Sequence, residues 1–151
     1  MPSSFCQVAV HIIFGLRSRD RFLNDEFHPY IHGIITSVKG HPIIINSTED
    51  HVHILCYLPK DMSVADFVRT IKSNSSKWHN SKHMGRINWQ TGYAAYSVSK
   101  TNIDSVKTYI QNQKQHHRSI SFAGEMEKYL SDDFGKMVYD EWFREENDRN
   151  G

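Results

Sequence analysis

The sequence is short of cysteine, of long apolar runs and of net charge. Only Cys6 and Cys56 are cysteines among its 151 residues, each inside an apolar run. That excludes a disulfide framework and a thiolate-rich zinc site, and it fits a reducing cytoplasm. No apolar stretch reaches the roughly 20 residues of a membrane span. The start, MPSSFCQVAVHIIF, has neither the basic leader nor the small-residue cleavage site of a secretory signal. The expectation is therefore a soluble, cytoplasmic, unprocessed chain. Internal repeats are absent.

What is present suffices for one core. At 38% hydrophobic and 12% aromatic residues, the chain is expected to form a single domain over residues 1–151. The net charge of +1 hides an uneven distribution. Residues 60–120 carry ten Lys or Arg against three Asp, whereas residues 121–151 carry four basic and nine acidic residues. A basic segment that also holds Trp78, Trp89, Tyr93 and Tyr96 suits a polyanion with stackable bases, meaning single-stranded or distorted nucleic acid. The same residues also fit a solvated helix face and a core of aromatics.

Residues 5–14, FCQVAVHIIF, predict a first strand, with Val8, Val10, Ile12 and Phe14 at period two. Phe27, Ile31, Ile34, Ile35 and Val38 recur at helical spacing until Gly40, which is expected to stop the helix. HPIIIN and HVHILCYL, joined by STED, read as an antiparallel hairpin. Ser63 and Asp66 form a capping pattern for a second helix, whose apolar stripe runs through Val64, Phe67, Val68, Ile71 and Trp78 and whose other side carries Arg69, Lys72 and Lys77. NWQTGYAAYSVSK predicts a strand entered through Gly92, and Thr101 or Asn102 caps a third helix through YIQNQKQHH. Short helices are expected in the acidic tail, with disorder only in ENDRNG. The order is β-α-β-β-α-β plus a helix, an α+β chain with a ferredoxin-like, RRM-like antiparallel sheet. On the third strand, Val52, Ile54, Cys56 and Leu58 should face the helices, leaving His51, His53, Leu55 and Tyr57 on the other side.

His51 and His53 could chelate one metal ion, because strand residues two apart share a face. They could also be ordinary strand residues: with ten histidines in the chain, chance gives roughly 0.6 such pairs. A third ligand is available on the third helix. Ile103, Val106 and Ile110 form its buried stripe, and Tyr109 and Gln113 lie one turn apart along the edge of that stripe. The amide oxygen of Gln113 beside two imidazoles would leave positions for water and phosphate oxygens, which suits Mg²⁺ or Mn²⁺ better than a closed zinc site. His116 and His117 are rival ligands, or helix-terminal surface residues. Tyr109 is a candidate nucleophile, since a metal-polarised phosphate makes attack by a phenol of pKa about 10 feasible; its alternative is a core tyrosine beside Ile110. Asp50 either orients a ligand histidine or stabilises a turn. His11 reads as structural.

The segments DHVHILCYLP, KSNSSKW, NWQTGYAAYSVS and VKTYIQNQKQHH together resemble the HUH single-tyrosine transposases, the insertion-sequence 200/605 group with its REP-associated relatives, over about residues 5–125. The resemblance implies that His51, His53 and Gln113 bind a divalent metal. Tyr109 would be the nucleophile that cuts and rejoins single-stranded DNA through a 5′-phosphotyrosine. It implies a homodimer in which the tyrosine helix of one subunit can complete the site of the other, and DNA ends folded into hairpins. Arg69, Lys72 and Lys77 would then contact phosphates and Trp89 or Trp78 an unpaired base. The acidic tail from residue 125 matches no motif. Two other classes fit the residues alone: a metal-dependent nuclease or phosphodiesterase with water as nucleophile, and a non-catalytic nucleic-acid-binding module.

Overall fold

The computed structural model describes residues 4–17, 23–82 and 86–116. Four strands, β1 (Ala9–Gly15), β2 (His41–Ser47), β3 (His51–Tyr57) and β4 (Ala94–Ser97), form one sheet in the order β2-β3-β1-β4. Every neighbouring pair is antiparallel. Helix α1 (Phe27–Ser37) joins β1 to β2 and α2 (Val64–Lys82) joins β3 to β4. Helix α3 (Ile103–Gln111) and the four-residue α4 (Gln113–His116) follow β4. This is the expected ferredoxin-like arrangement, with β3 inserted between the parallel pair β1 and β2.

The two-residue period decides which side each residue serves. Val10, Ile12 and Phe14 lie opposite Cys56, Ile54 and Val52, and these six are buried with Phe27, Ile31 and Ile35 of α1 and Phe67, Val68 and Ile71 of α2. Burying each such side chain contributes roughly 1.5–3 kcal/mol, so this layer supplies most of the stabilisation. The other side of the sheet holds His11, Ile13, His51, His53 and Leu55, all buried. Among the described residues no helix is long and apolar enough to cross a membrane.

Several boundaries differ from expectation for local reasons. The first strand starts at Ala9, because β3 ends opposite it at Tyr57; Phe5 and Val8 project past the paired sheet and are 88% and 48% exposed. The last strand shrinks to Ala94–Ser97, with only an isolated bridge between Trp89 and Leu16 before it. Ser63 caps α2 through the Asp66 amide at 3.1 Å, as expected. Asn102 occupies the N-cap position of α3 without a side-chain cap bond, a 3-10 turn at Lys100–Asn102 leading in instead. The acidic tail, its last residues and His117 lie outside the described residues.

The stop of α1 is a Schellman motif. The Gly40 amide donates to Ile35 O at 2.9 Å and the Lys39 amide to Thr36 O at 3.0 Å. The left-handed position falls on Lys39, with φ 69°, and not on the glycine. Gly40 is needed for space, since a Cβ there would sit 2.8 Å from Ile35 Cγ2. A lysine in the left-handed region is strained, so Lys39→Gly should raise stability by about 0.5–1 kcal/mol, the left-handed penalty less the extra chain entropy of glycine. Urea unfolding should show a higher midpoint at unchanged slope.

Candidate active site and metal centre

Three imidazoles lie side by side on the sheet face turned away from α1 and α2. His11, His51 and His53 are at most 1% exposed. The rings of His51 and His53 are 5.0 Å apart, the spacing that one strand face provides. His11 reaches His53 diagonally across the β1–β3 pair, since His53 lies opposite Ile13 and His11 opposite Leu55. Their ring centroids are 5.2 Å apart.

Both strand-three histidines are engaged through Nδ1. For His51 the partner is Asp50 Oδ1 at 2.7 Å, with Thr48 Oγ1 also at 2.7 Å. An ionised carboxylate only accepts, so the Nδ1 of His51 donates to Asp50. The same Asp50 oxygen accepts from the Thr48 hydroxyl at 3.2 Å, within the turn closed by the Thr48 amide and the His51 carbonyl. Asp50 thus sits in both positions weighed from sequence, at the turn and against a histidine. For His53 the partner of Nδ1 is Nε2 of His11, at 2.9 Å. With Nδ1 occupied, Nε2 is the atom through which each histidine would ligate a cation.

Asn46 places the third helix over this face. It lies opposite His53 on β2 and donates Nδ2 to Ile110 O at 2.8 Å and Gln111 O at 3.3 Å. Its Oδ1 accepts from Lys114 at 3.2 Å. Lys114 also pairs with Asp25 at 2.8 Å and holds that carboxyl below its ordinary range. Ile110 is fully buried beneath the helix. Tyr109, half-buried, sets its ring 6.2 Å from that of His53 at 73°, in the same chain.

One expected helix is two. Asn112 ends α3, its amide shared between Thr108 O and Tyr109 O, and Gln113 begins α4. Asn46 occupies the carbonyls of Ile110 and Gln111, to which Lys114 and Gln115 would donate in an unbroken helix, which accounts for the break. Gln113 is fully buried, and neither its Oε1 nor its Nε2 has a hydrogen-bond partner among the described residues. A buried amide so placed costs about 1–3 kcal/mol per unmet group. Cys56 lies on the opposite face, where burial pushes its thiol up to about 12, far from a reactive thiolate.

The basic residues stand apart from the histidines. Arg69, Lys72 and Trp89 line a groove of about 460 Å³ beside α2, together with Arg17, Ser76 and Asn88. Arg69 is 73% exposed and pairs with Asp66. Lys72 donates to Gln90 O and Gly92 O, both at 2.7 Å, tying α2 to the segment before β4. Trp89 packs edge-on against Phe14 and donates Nε1 to Ser75 at 3.0 Å. Lys77 is exposed on α2, and Trp78 stacks on Tyr30. Sequence reasoning missed Asn46, Arg17 and the part His11 plays; for His11 the signal was there, since odd-numbered β1 residues share the face of odd-numbered β3 residues. The His116 side chain and His117 fall outside what is described.

A family model described as "Transposase IS200 like" matches residues 4–113. Among solved structures, one assigned as a transposase from Deinococcus radiodurans R1 is 22% identical, with a TM-score of 0.57 over 76% of this chain and 96% of that one. A REP-associated tyrosine transposase bound to a REP hairpin is 16% identical, with a TM-score of 0.57 over 78% of this chain and 73% of that one. At these identities the two structures speak for the fold. No curated protein matches.

Removing the Asn46 amide tests how the third helix is held. Asn46→Ala should cost about 1 kcal/mol. Amide exchange should accelerate in residues 103–116 while β1 and β3 keep their protection, the mark of a local loosening.

Proposed function

The chain belongs to the IS200-like transposases, and on that premise we propose that it cleaves and rejoins single-stranded DNA through a covalent 5′-phosphotyrosine, using Mg²⁺ or Mn²⁺. The observation that carries this reading is the meeting of the Tyr109 ring with His53, 6.2 Å away, on the sheet face that also holds His51. The donors fit a divalent ion. Among the described residues no three His, Cys, Asp or Glu side chains are grouped to hold one, and an amide is the third protein ligand in this reading. Gln113, buried and with an amide oxygen that has no hydrogen-bond partner among the described residues, would serve as that ligand with His51 and His53. A cation bound there would polarise the scissile phosphate and stabilise its developing charge.

In the proposed first step the Tyr109 oxygen attacks phosphorus and the bond from phosphorus to the 3′ oxygen breaks. The phenolic proton goes to solvent, and the departing 3′ oxygen takes one up to become a hydroxyl. The product keeps an ester bond to tyrosine, so its reversal by attack of a 3′-hydroxyl rejoins DNA without ATP. His51 and His53 contribute positioned nitrogens, held by Asp50 and His11. Arg69 and Lys77, exposed on α2, would contact phosphates away from the scissile one, and Lys72 and Trp89 would meet the strand at the floor of the groove, Trp89 stacking on an unpaired base. A hairpin end suits this partner role, in line with the hairpin held by the REP-associated neighbour. The proposed assembly is a homodimer in which the tyrosine helix serves the histidines of its own chain or completes the site of the other subunit.

Incubating the protein with single-stranded DNA from the flanks of its own gene should give a covalent adduct on a denaturing gel. The adduct should require Mg²⁺ or Mn²⁺, disappear with a chelator, and vanish in Tyr109→Phe and in a His51→Ala, His53→Ala double variant. Cleavage surviving in Tyr109→Phe would put water in the nucleophile's place. Hairpin binding unaffected by the double variant, with no adduct from the wild type, would leave only a binding module. Separately, Arg69→Ala and Lys77→Ala should each reduce the salt dependence of single-strand binding by about 0.7 in the slope of log K against log salt, one phosphate contact apiece. An unchanged slope would remove these residues from the interface.

A further inference from the structure

His11 touches neither cation nor DNA in the proposed chemistry, yet it is the hydrogen-bond partner of a proposed ligand. Its Nε2 lies 2.9 Å from Nδ1 of His53, and the ring is 1% exposed. We propose that His11 is a positioning residue. Its Nε2 accepts the Nδ1 proton of His53 and so fixes the tautomer whose lone pair is on Nε2, where a divalent cation would bind. This rests on the reading of His53 as a metal ligand.

A neutral imidazole has one donor and one acceptor nitrogen, and the hydrogen bond made by one decides which atom is left to coordinate. On β3 the two histidines meet this requirement differently. His51, next to the turn, faces the partly exposed carboxylate of Asp50, whose side chain is 39% accessible. His53 lies deeper, opposite Ile13 and beside Leu55, which are completely buried. A carboxylate at position 11 would carry its charge into that hydrocarbon at a cost of several kcal/mol. An imidazole accepts the same bond without charge. Packing alone would favour an aliphatic residue at position 11, as at Ile13 on the same face, because a polar ring buried there is unfavourable unless hydrogen-bonded. The register of β1 against β3 then fixes the direction in which His53 points.

The test reads the tautomer directly. Protein with ¹⁵N-labelled histidine, free of metal and at a pH where the imidazoles are neutral, should show His53 protonated on Nδ1. In His11→Leu the His53 signals should move toward the Nε2-protonated form, and Mn²⁺ affinity, followed by the free-ion paramagnetic resonance signal, should fall roughly 10- to 100-fold, the usual effect of removing a partner of a ligand histidine. His11→Gln, whose amide oxygen can accept at about the same position, should keep both the tautomer and the affinity near wild type. An unchanged tautomer in His11→Leu overturns the proposal, whether or not Mn²⁺ affinity falls, since a fall alone would reflect packing. Loss of the tautomer in His11→Gln as well as His11→Leu also overturns it. If His53→Ala binds Mn²⁺ as tightly as the wild type, the metal reading itself fails, a result independent of either position 11 variant.

Discussion

The register between β1 and β3 is the constraint on which the site depends. Side chains alternate along a strand, so a slip of one residue would drive His51 and His53 into the layer beneath α1 and α2 and turn Val52, Ile54 and Cys56 out of it. Two local features oppose that slip. The Leu16 amide donates to Asp50 O at 2.7 Å, locking the end of β1 to the turn that precedes His51. Gly15, directly opposite His51, leaves no room for a side chain, because a Cβ there would lie 2.9 Å from Gln90 Oε1 and 3.0 Å from the Asp50 carbonyl. The carboxylate that meets His51 is thus positioned by a backbone approach that glycine permits.

Polar groups on the histidine face are mostly satisfied by one another. His11 meets His53, Asp50 meets His51, and Asn46 meets the last carbonyls of α3. Such a layer gains little over hydrocarbon, since exchanging water contacts for internal ones nets only about 0.5–1.5 kcal/mol per hydrogen bond. Stability comes from the opposite layer, and polar residues can occupy this one because that layer is continuous. Gln113 is the exception to the pairing among the described residues.

Much of this was legible in sequence because it depends on period. The alternation of HVHILCYL assigned each β3 residue to its face, and the stripe Phe67, Val68, Ile71 identified the buried side of α2. What escaped depends on contacts between distant segments. No local pattern reveals that Asn46, 64 residues before Ile110, interrupts a helix by taking its carbonyls. The helix stop at Gly40 is legible, but its geometry is not: the chain places Lys39 in the left-handed position and uses the glycine for clearance from Ile35. The start of β1 at Ala9 is not legible either, because Phe5 and Val8 continue the apolar pattern and the length of the neighbouring strand limits the pairing.

In the proposed chemistry the two sides of the sheet would divide the labour of a DNA-processing protein. Arg17, Arg69 and Lys72 gather beside α2, whereas the donors proposed for the cation, His51, His53 and Gln113, carry no formal charge when the imidazoles are neutral. A neutral donor set compensates none of a cation's charge, so binding there would be weak until a phosphodiester supplies the negative charge. Under the proposed chemistry, affinity for the strand would come mainly from the basic side and competence for attack from the face opposite. A strand held only at the basic groove would remain uncut, because Tyr109 stands across the sheet with His53. Chemistry would begin only when a phosphate reaches that second face, which couples cation binding to the arrival of the bond to be broken.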